Sequence, residues 1–330
     1  MNRPLGSFGP SISPIVYGAW QAGGWFWGPA DDAVQIDAMH AAFDAGVNAV
    51  DTAPVYGFGH SEEVVGKAIR GRPEIVVLTK FGLSWAGDEG AFFFDTHDGD
   101  RPVTVRRHAA HRAIVEACED SLRRLGRDTI DVYQLHWPEP DRAPEEVMGA
   151  LETLRAQGKI RALGVSNCPP DWLARAAAVA PLTSIQPKWS WLSRAEEGTS
   201  LAWARAHGVG AVVYSPLEMG LLAGKIRPDQ TYAPGDDRPG QPWFAPDAVA
   251  RVNAALDTLR PLAAEKGCSL GQLMLAATIA EPGITGALVG ARDRAQATDN
   301  AAAMQIAVTE PERAQIRATL AAVAPPHRAR

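Results

Sequence analysis

The stretch VNAVDTAPVYGFGHSEEVVGKAIRG, residues 47–71, sets the pattern on which the chain is built. Residues 47–52 read as a short apolar strand that closes on a carboxylate, Asp51. A turn punctuated by Pro and Gly carries Tyr56, and residues 60–71 read as a helix with Ser61 near its start and Gly71 at its end. The same strand–turn–helix unit recurs on both sides. Apolar strand runs fall at 12–20, 74–80, 129–137, 160–167, 182–188, 209–216 and 284–291. Helical runs occupy 31–46, 106–126, 143–158, 170–180, 194–208, 246–267, 269–283, 294–304 and 310–324. Residues 81–103 and 216–247 read as long irregular loops, of the length that usually covers a site.

Eight strands, each followed by a helix, imply a parallel sheet covered by helices. In a chain of 330 residues with no shift in composition, that count fits a closed (β/α)8 barrel better than a doubly wound sheet. We therefore expect a single α/β barrel domain over residues 1–330, with long mouth loops and additional C-terminal helices.

Composition narrows the function classes. The chain is 46% hydrophobic and 21% charged, as globular proteins are. Its net charge of −6, with no basic stripe, argues against a nucleic-acid surface. No apolar run is long enough to cross a bilayer, and residues 1–14 lack the core of a signal peptide. Cys118, Cys168 and Cys268 are widely spaced and odd in number, which suits reduced thiols in the cytoplasm rather than a disulfide framework or a metal site.

Barrel chemistry sits at the C-terminal ends of the strands. Read in order, those ends carry Trp20, Asp51, Lys80, His136, Ser166–Asn167, Gln186, Tyr214–Ser215 and Gly290–Arg292. Asp51, Lys80 and His136 end consecutive strands, about 4.8 Å apart, so their side chains can converge. A buried lysine needs a carboxylate partner, which Asp51 can supply. A phenol beside that ammonium should have its pKa lowered, making Tyr56 a general acid, with His136 holding the substrate oxygen from the other side. A carbonyl polarised in this way invites attack at carbon, and no side chain supplies the nucleophile, so a bound cofactor should.

The segments DTAPVYGFGHSEEVVGKAI, LTK, DVYQLHWPEPD, GKIRALGVSN, YSPLEMGLLAGK and LVGARDRAQATDN together resemble the aldo-keto reductases, over residues 16–300. The closest likeness is to a bacterial branch of general stress and of inositol- and sugar-associated reductases. The resemblance implies an NAD(P)H-dependent oxidoreductase that reduces aldehyde and ketone carbonyls, NADPH being expected over NADH. It implies Asp51, Tyr56, Lys80 and His136 as the catalytic tetrad. It places Ser166, Asn167 and Gln186 at the nicotinamide carboxamide, Tyr214 against the nicotinamide ring and the backbone around Ser215, Leu217, Gly220 and Leu222 along the pyrophosphate, with Trp20 and Lys225 also among the cofactor-binding residues. Gly290, Arg292, Gln296 and Asn300 fall at the adenosine end, where Arg292 suits a 2′-phosphate. Loop tryptophans Trp20, Trp25, Trp85 and Trp137 are expected to wall a substrate pocket. The expected partner is a small-molecule carbonyl compound, and the chain itself a monomer or weak homo-oligomer.

Other readings fare worse. No G-x-G-x-x-G fits, since GFGHSE puts Glu62 where the third glycine belongs. His108 and His111 share a helix run without a matching carboxylate, which reads as a surface and not a metal site. Glu139 and Asp141 invite a glycosidase reading, but the strand ends offer no clear carboxylate pair. A redox-sensing regulatory subunit is the alternative outside catalysis, because potassium-channel β subunits resemble this fold too.

Overall fold

The fold is seen in a computed structural model that describes residues 1–28 and 30–326. Eight parallel strands close into a barrel in sequence order: β1 (Ile15–Gly18), β2 (Ala49–Asp51), β3 (Val76–Phe81), β4 (Ile130–Leu135), β5 (Ile160–Ser166), β6 (Ser184–Gln186), β7 (Gly210–Val213) and β8 (Gly286–Val289). The helices between them are α1 (Asp32–Asp44), α2 (His60–Ala68), α3 (His111–Leu125), α4 (Pro144–Ala156), α5 (Pro170–Val179) and α6 (Ser200–Ala206). After β7 come α7 (Pro246–Asp257), α8 (Arg260–Glu265) and α9 (Leu270–Ile279). After β8 come α10 (Arg294–Ala302) and α11 (Glu310–Ala321).

Alternation along each strand builds two apolar layers. Inside the barrel, Val16, Ala49, Leu78, Val132, Ala162 and Val212 pack together. Outward-facing Tyr17, Val50, Val77, Tyr133, Leu163 and Val213 join the larger core beneath the helices. A small hairpin, Arg3–Pro4 with Ser11–Ile12, lies at the N-terminal end of the strands, and its Leu5 and Ile12 are fully buried in the interior cluster. Toward the C-terminal end the inward positions turn polar: Lys80, Gln134, Ser184 and Gln186 are buried there. Inside the barrel, Lys80, Gln134 and Gln186 thus bring their polar groups together at the C-terminal end.

The segment 81–103 departs from the irregular loop expected of it. Residue 81 ends β3, and Leu83–Ser84, Ala91–Asp98 and Arg101–Arg107 form a three-stranded antiparallel sheet. The hairpin turns at Asp98–Gly99–Asp100, with Gly99 at φ 59°, between runs of aromatic and β-branched residues. Its last strand extends to Arg107, so α3 starts at His111 rather than near residue 106. Residues 216–247 carry three short 3-10 turns, Leu221–Ala223, Arg238–Gly240 and Pro242–Phe244. Among the described residues no helix is long and apolar enough to cross a membrane.

Candidate active site

Asp51 ends β2 and Lys80 lies near the end of β3, and both side chains are buried. The Lys80 ammonium donates to Asp51 Oδ1, to the Thr52 carbonyl oxygen at 2.9 Å and to the Tyr56 hydroxyl at 3.3 Å. All three of its N–H groups are therefore committed. Burial alone would disfavour the charge, but Asp51 and Tyr56 outweigh it and raise the lysine pKa.

Tyr56 owes its position to the glycines around it. The turn Ala19–Gly23 presses against the loop so closely that a Cβ on Gly57 would lie 2.3 Å from the Gly23 carbonyl oxygen. Gly57 also takes φ 63°, so both sterics and backbone demand glycine there. The Ser61 amide donates to the Tyr56 carbonyl at 3.1 Å, and the Ser61 hydroxyl bonds Thr52 Oγ1 and the Ala19 carbonyl. The loop is thereby tied to both β1 and β2.

The phenol departs from one expectation. Burial is the largest influence on Tyr56 and raises its pKa above 10; Lys80 pulls the other way, and Asp51 adds to the rise. The ammonium therefore limits the rise without reversing it. A phenol in this setting stays protonated across neutral pH, as a proton donor must.

His136 follows β4 and stands edge-on to Tyr56, with ring centroids 5.7 Å apart. Burial, assisted by the Lys80 charge, holds its pKa well below the usual imidazole value, so the ring is neutral and offers one N–H. On acidification the unfolded chain takes up a proton below about pH 6.5 that the folded ring refuses. Its contribution to stability is thus whole above the unfolded pKa and lost as pH falls toward the folded one. Urea unfolding from about pH 7 to about pH 5 should show wild type losing stability faster than His136→Gln, by at most about 1.4 kcal/mol per pH unit. Equal slopes would contradict the neutral, buried imidazole.

A cavity of about 1030 Å³ opens over these groups and runs into the groove beside β7 and β8. Asp51, Tyr56 and His136 line it, while Lys80 sits beneath Tyr56. Trp20, Ser166, Asn167, Gln186, Tyr214, Ser215, Leu217, Gly220 and Lys225 line its middle, and Gly290, Arg292, Gln296 and Asn300 its far end. Trp25 and Trp137 belong to its wall.

Two expected residues do not reach the wall. Trp85 packs its ring on Phe58, 5.3 Å away, in the cluster beneath the mouth sheet, and Leu222 is fully buried in the main core. Phe93 and Phe94 from the unexpected hairpin take the place foreseen for Trp85. Trp27, Gln21 and Arg238 also line the cavity and were not foreseen. Trp27 carried a signal in the aromatic run Trp25–Phe26–Trp27. Arg238 carried none, since its place depends on the antiparallel bridge between Trp27 and Asp236.

The polar atoms along the middle of the cavity are ordered by one another. Asn167, at φ 59°, donates to the His136 carbonyl at 3.0 Å and to Ser166 Oγ at 2.9 Å, and accepts from the Tyr214 hydroxyl at 3.0 Å. Ser166 Oγ donates to the Gln186 carbonyl at 2.7 Å. At the far end Gly18 and Gly290 bring β1 and β8 together, and a Cβ on Gly290 would meet the Gly18 carbonyl oxygen at 3.0 Å. Asp293 caps α10 by accepting from the Gln296 amide at 2.8 Å, so a helix N-terminus faces this end. Arg292 is exposed and makes no ion pair among the described residues, whereas Arg238 and Arg294 are committed to Asp236 and Asp37.

The other carboxylates singled out in the sequence lie in different surroundings. Glu139 accepts from the Ala109 amide at 2.8 Å and pairs with Arg142, and the His108 ring lies 3.3 Å from Glu89. Among the described residues there is no group of three metal-ligating side chains.

A closed eight-stranded parallel barrel with an acid–lysine–tyrosine chain and a histidine at its C-terminal mouth defines a class of oxidoreductase. The chain belongs to the aldo/keto reductase family, whose model matches residues 14–321. It is 37% identical over 292 residues to aldo-keto reductase YhdN of Bacillus subtilis, covering 87% of this chain and 84% of that one. It is 36% identical over 324 residues to the NADH-specific methylglyoxal reductase of Escherichia coli, covering 95% and 96%. Among solved structures, the glycerol dehydrogenase AKR11B4 from Gluconobacter oxydans superposes with a TM-score of 0.87 at 35% identity, covering 98% and 96%. The chain is accordingly an oxidoreductase of the carbonyl-reducing kind, and its family uses a nicotinamide cofactor.

Proposed function

We propose that the chain reduces small carbonyl compounds to alcohols with a reduced nicotinamide dinucleotide, Tyr56 being the proton donor. The observation that carries this reading is the unbroken chain Asp51–Lys80–Tyr56 ending at the cavity opposite His136. The residues fit the cofactor: one cavity joins the tyrosine to a helix N-terminus and to Arg292, which makes no ion pair among the described residues, the donors that a dinucleotide phosphate calls for. When bound, the cofactor supplies hydride. Tyr56 and the neutral His136 then hold the substrate oxygen between two donors, and Tyr56 gives up its proton to that oxygen. The ammonium of Lys80 stabilises the phenolate left behind, and Asp51 keeps the ammonium in place.

Ser166, Asn167 and Gln186 offer the polar edge for the nicotinamide carboxamide, and Tyr214 an aromatic face for its ring. The backbone from Ser215 to Gly220, with Lys225, would hold the pyrophosphate. Arg292 is read as the partner of a 2′-phosphate, which favours NADPH; the Escherichia coli relative is NADH-specific, so this choice turns on the far end of the cavity. The aromatic wall suits substrates with an apolar face, and the three free thiols suit a reducing compartment such as the cytoplasm. We read residues 1–330 as one domain acting as a monomer or weak homo-oligomer.

Titration of tryptophan fluorescence reads the cofactor directly, because Trp20 and Trp27 line the cavity. Arg292→Ala should weaken NADPH about ten- to hundredfold, the range for losing a charge-assisted bond, and leave NADH almost unchanged. Equal effects on both cofactors, or none on NADPH, would remove the phosphate role of Arg292.

A further inference from the structure

The buried Asp51 carboxylate has partners beyond the lysine. Its Oδ1 takes the ammonium of Lys80, while its Oδ2 accepts from Gln186 Nε2 at 2.7 Å and from Gln134 Nε2 at 3.1 Å. A carboxylate only accepts, so both amides must turn their N–H groups toward it, and this fixes their orientation. Gln186 also directs its amide at Gln134 Oε1, 3.4 Å away. Its carbonyl oxygen is what remains to face the cavity.

Gln134 is fully buried and lies opposite Lys80 on one side and Gly164 on the other. A Cβ on Gly164 would come within 2.8 Å of Gln134 Cγ, so the side chain fills the width that β5 leaves open. It points inward between Val132, in the apolar interior, and His136, at the mouth. An amide in such a place is costly unless paired, and its partners are Asp51 and Gln186.

We infer that Gln134 is a positioning residue for carbonyl reduction: with Gln186 it fixes the plane of the Asp51 carboxylate, and thereby the place of the Lys80 ammonium under the Tyr56 hydroxyl. The inference rests on the reading of Tyr56 as proton donor. Lys80 has no spare N–H with which to compensate if the carboxylate turns. A rotated carboxylate would draw the ammonium from the phenol, and the phenolate would lose its main stabilising charge.

The test compares wild type, Gln134→Met, Gln134→Glu and Tyr56→Phe, with cofactor affinity read by tryptophan fluorescence and turnover in both directions against pH. Gln134→Met keeps the volume and removes the donor. Its kcat should fall about ten- to hundredfold, as on losing one hydrogen bond to a charged group, with cofactor affinity held within about twofold. Its tyrosine-dependent limb in alcohol oxidation should move to higher pH, because the phenolate is less stabilised. Gln134→Glu can donate only while protonated. Its turnover should approach wild type at acid pH and fall toward that of Gln134→Met as the added carboxyl ionises beside Asp51.

Wild-type turnover and an unmoved limb in Gln134→Met would overturn the inference. So would parallel loss of cofactor affinity and turnover at every pH in both Gln134 variants, which marks a purely structural role. Should Tyr56→Phe itself keep its turnover, the reading of the reaction fails first. Loss in Tyr56→Phe with none in Gln134→Met sinks only the role of Gln134.

Discussion

Lys80→Met should abolish most turnover and also destabilise the barrel by about 3–5 kcal/mol, the cost of leaving one partner of a buried ion pair uncompensated. The reason lies in the burial of both side chains, with 0% of the Lys80 and 3% of the Asp51 side chain exposed. Without the ammonium, Asp51 keeps only the two glutamine amides, and Tyr56 loses its charged neighbour. Urea unfolding measures the stability and cofactor oxidation the turnover. Adding Asp51→Asn to Lys80→Met should recover part of the stability, because the unpaired charge is gone, yet none of the activity. Recovery of both would mean that the lysine acts only as a structural counter-ion.

Tyr56→Phe carries the largest expected kinetic effect, a loss of about 10²–10⁴ in kcat, the range for removing a general acid. Cofactor affinity should hold, because the ring stays stacked near Trp20, at 5.8 Å between centroids, and only the hydroxyl is lost. The pH dependence has a definite sign. With the phenol's pKa raised above 10, reduction should show no loss from tyrosine ionisation across neutral pH. Alcohol oxidation needs the phenolate and should climb with pH through the alkaline range. An oxidation rate that levels off below neutrality would contradict the raised value.

The contrast between the tetrad and its surroundings shows what a sequence reveals in this fold. Asp51, Lys80 and His136 are legible because strand ends are legible and a barrel gathers its strand ends at one mouth. Tyr56 is legible because it rides the short Pro/Gly loop that follows Asp51, beside the lysine at the next strand end. The close passage of Gly57 against Gly23 became visible only in the fold. The mouth hairpin was obscured by charges at its turn, although Asp98–Gly99 between strand formers was the available signal. Missing that sheet misplaced Trp85, which turns under the hairpin rather than into the cavity. The sign of the Tyr56 shift was out of reach for a different reason: sequence shows which charges are neighbours but not how completely water is excluded. Gln134 lay in view, two residues before His136 on an inward-facing register, but its partner became clear only once β2, β4 and β6 met inside the barrel.

The most direct measurement is a single-turnover experiment on wild type and Tyr56→Phe, each first saturated with reduced nicotinamide cofactor and then mixed with a small aldehyde, following the cofactor's absorbance. Wild type should oxidise one equivalent of cofactor rapidly, while Tyr56→Phe, equally loaded, should do so at least about a hundredfold more slowly. Equal rates from two equally loaded proteins would contradict the assignment of Tyr56 as the group that protonates the carbonyl oxygen.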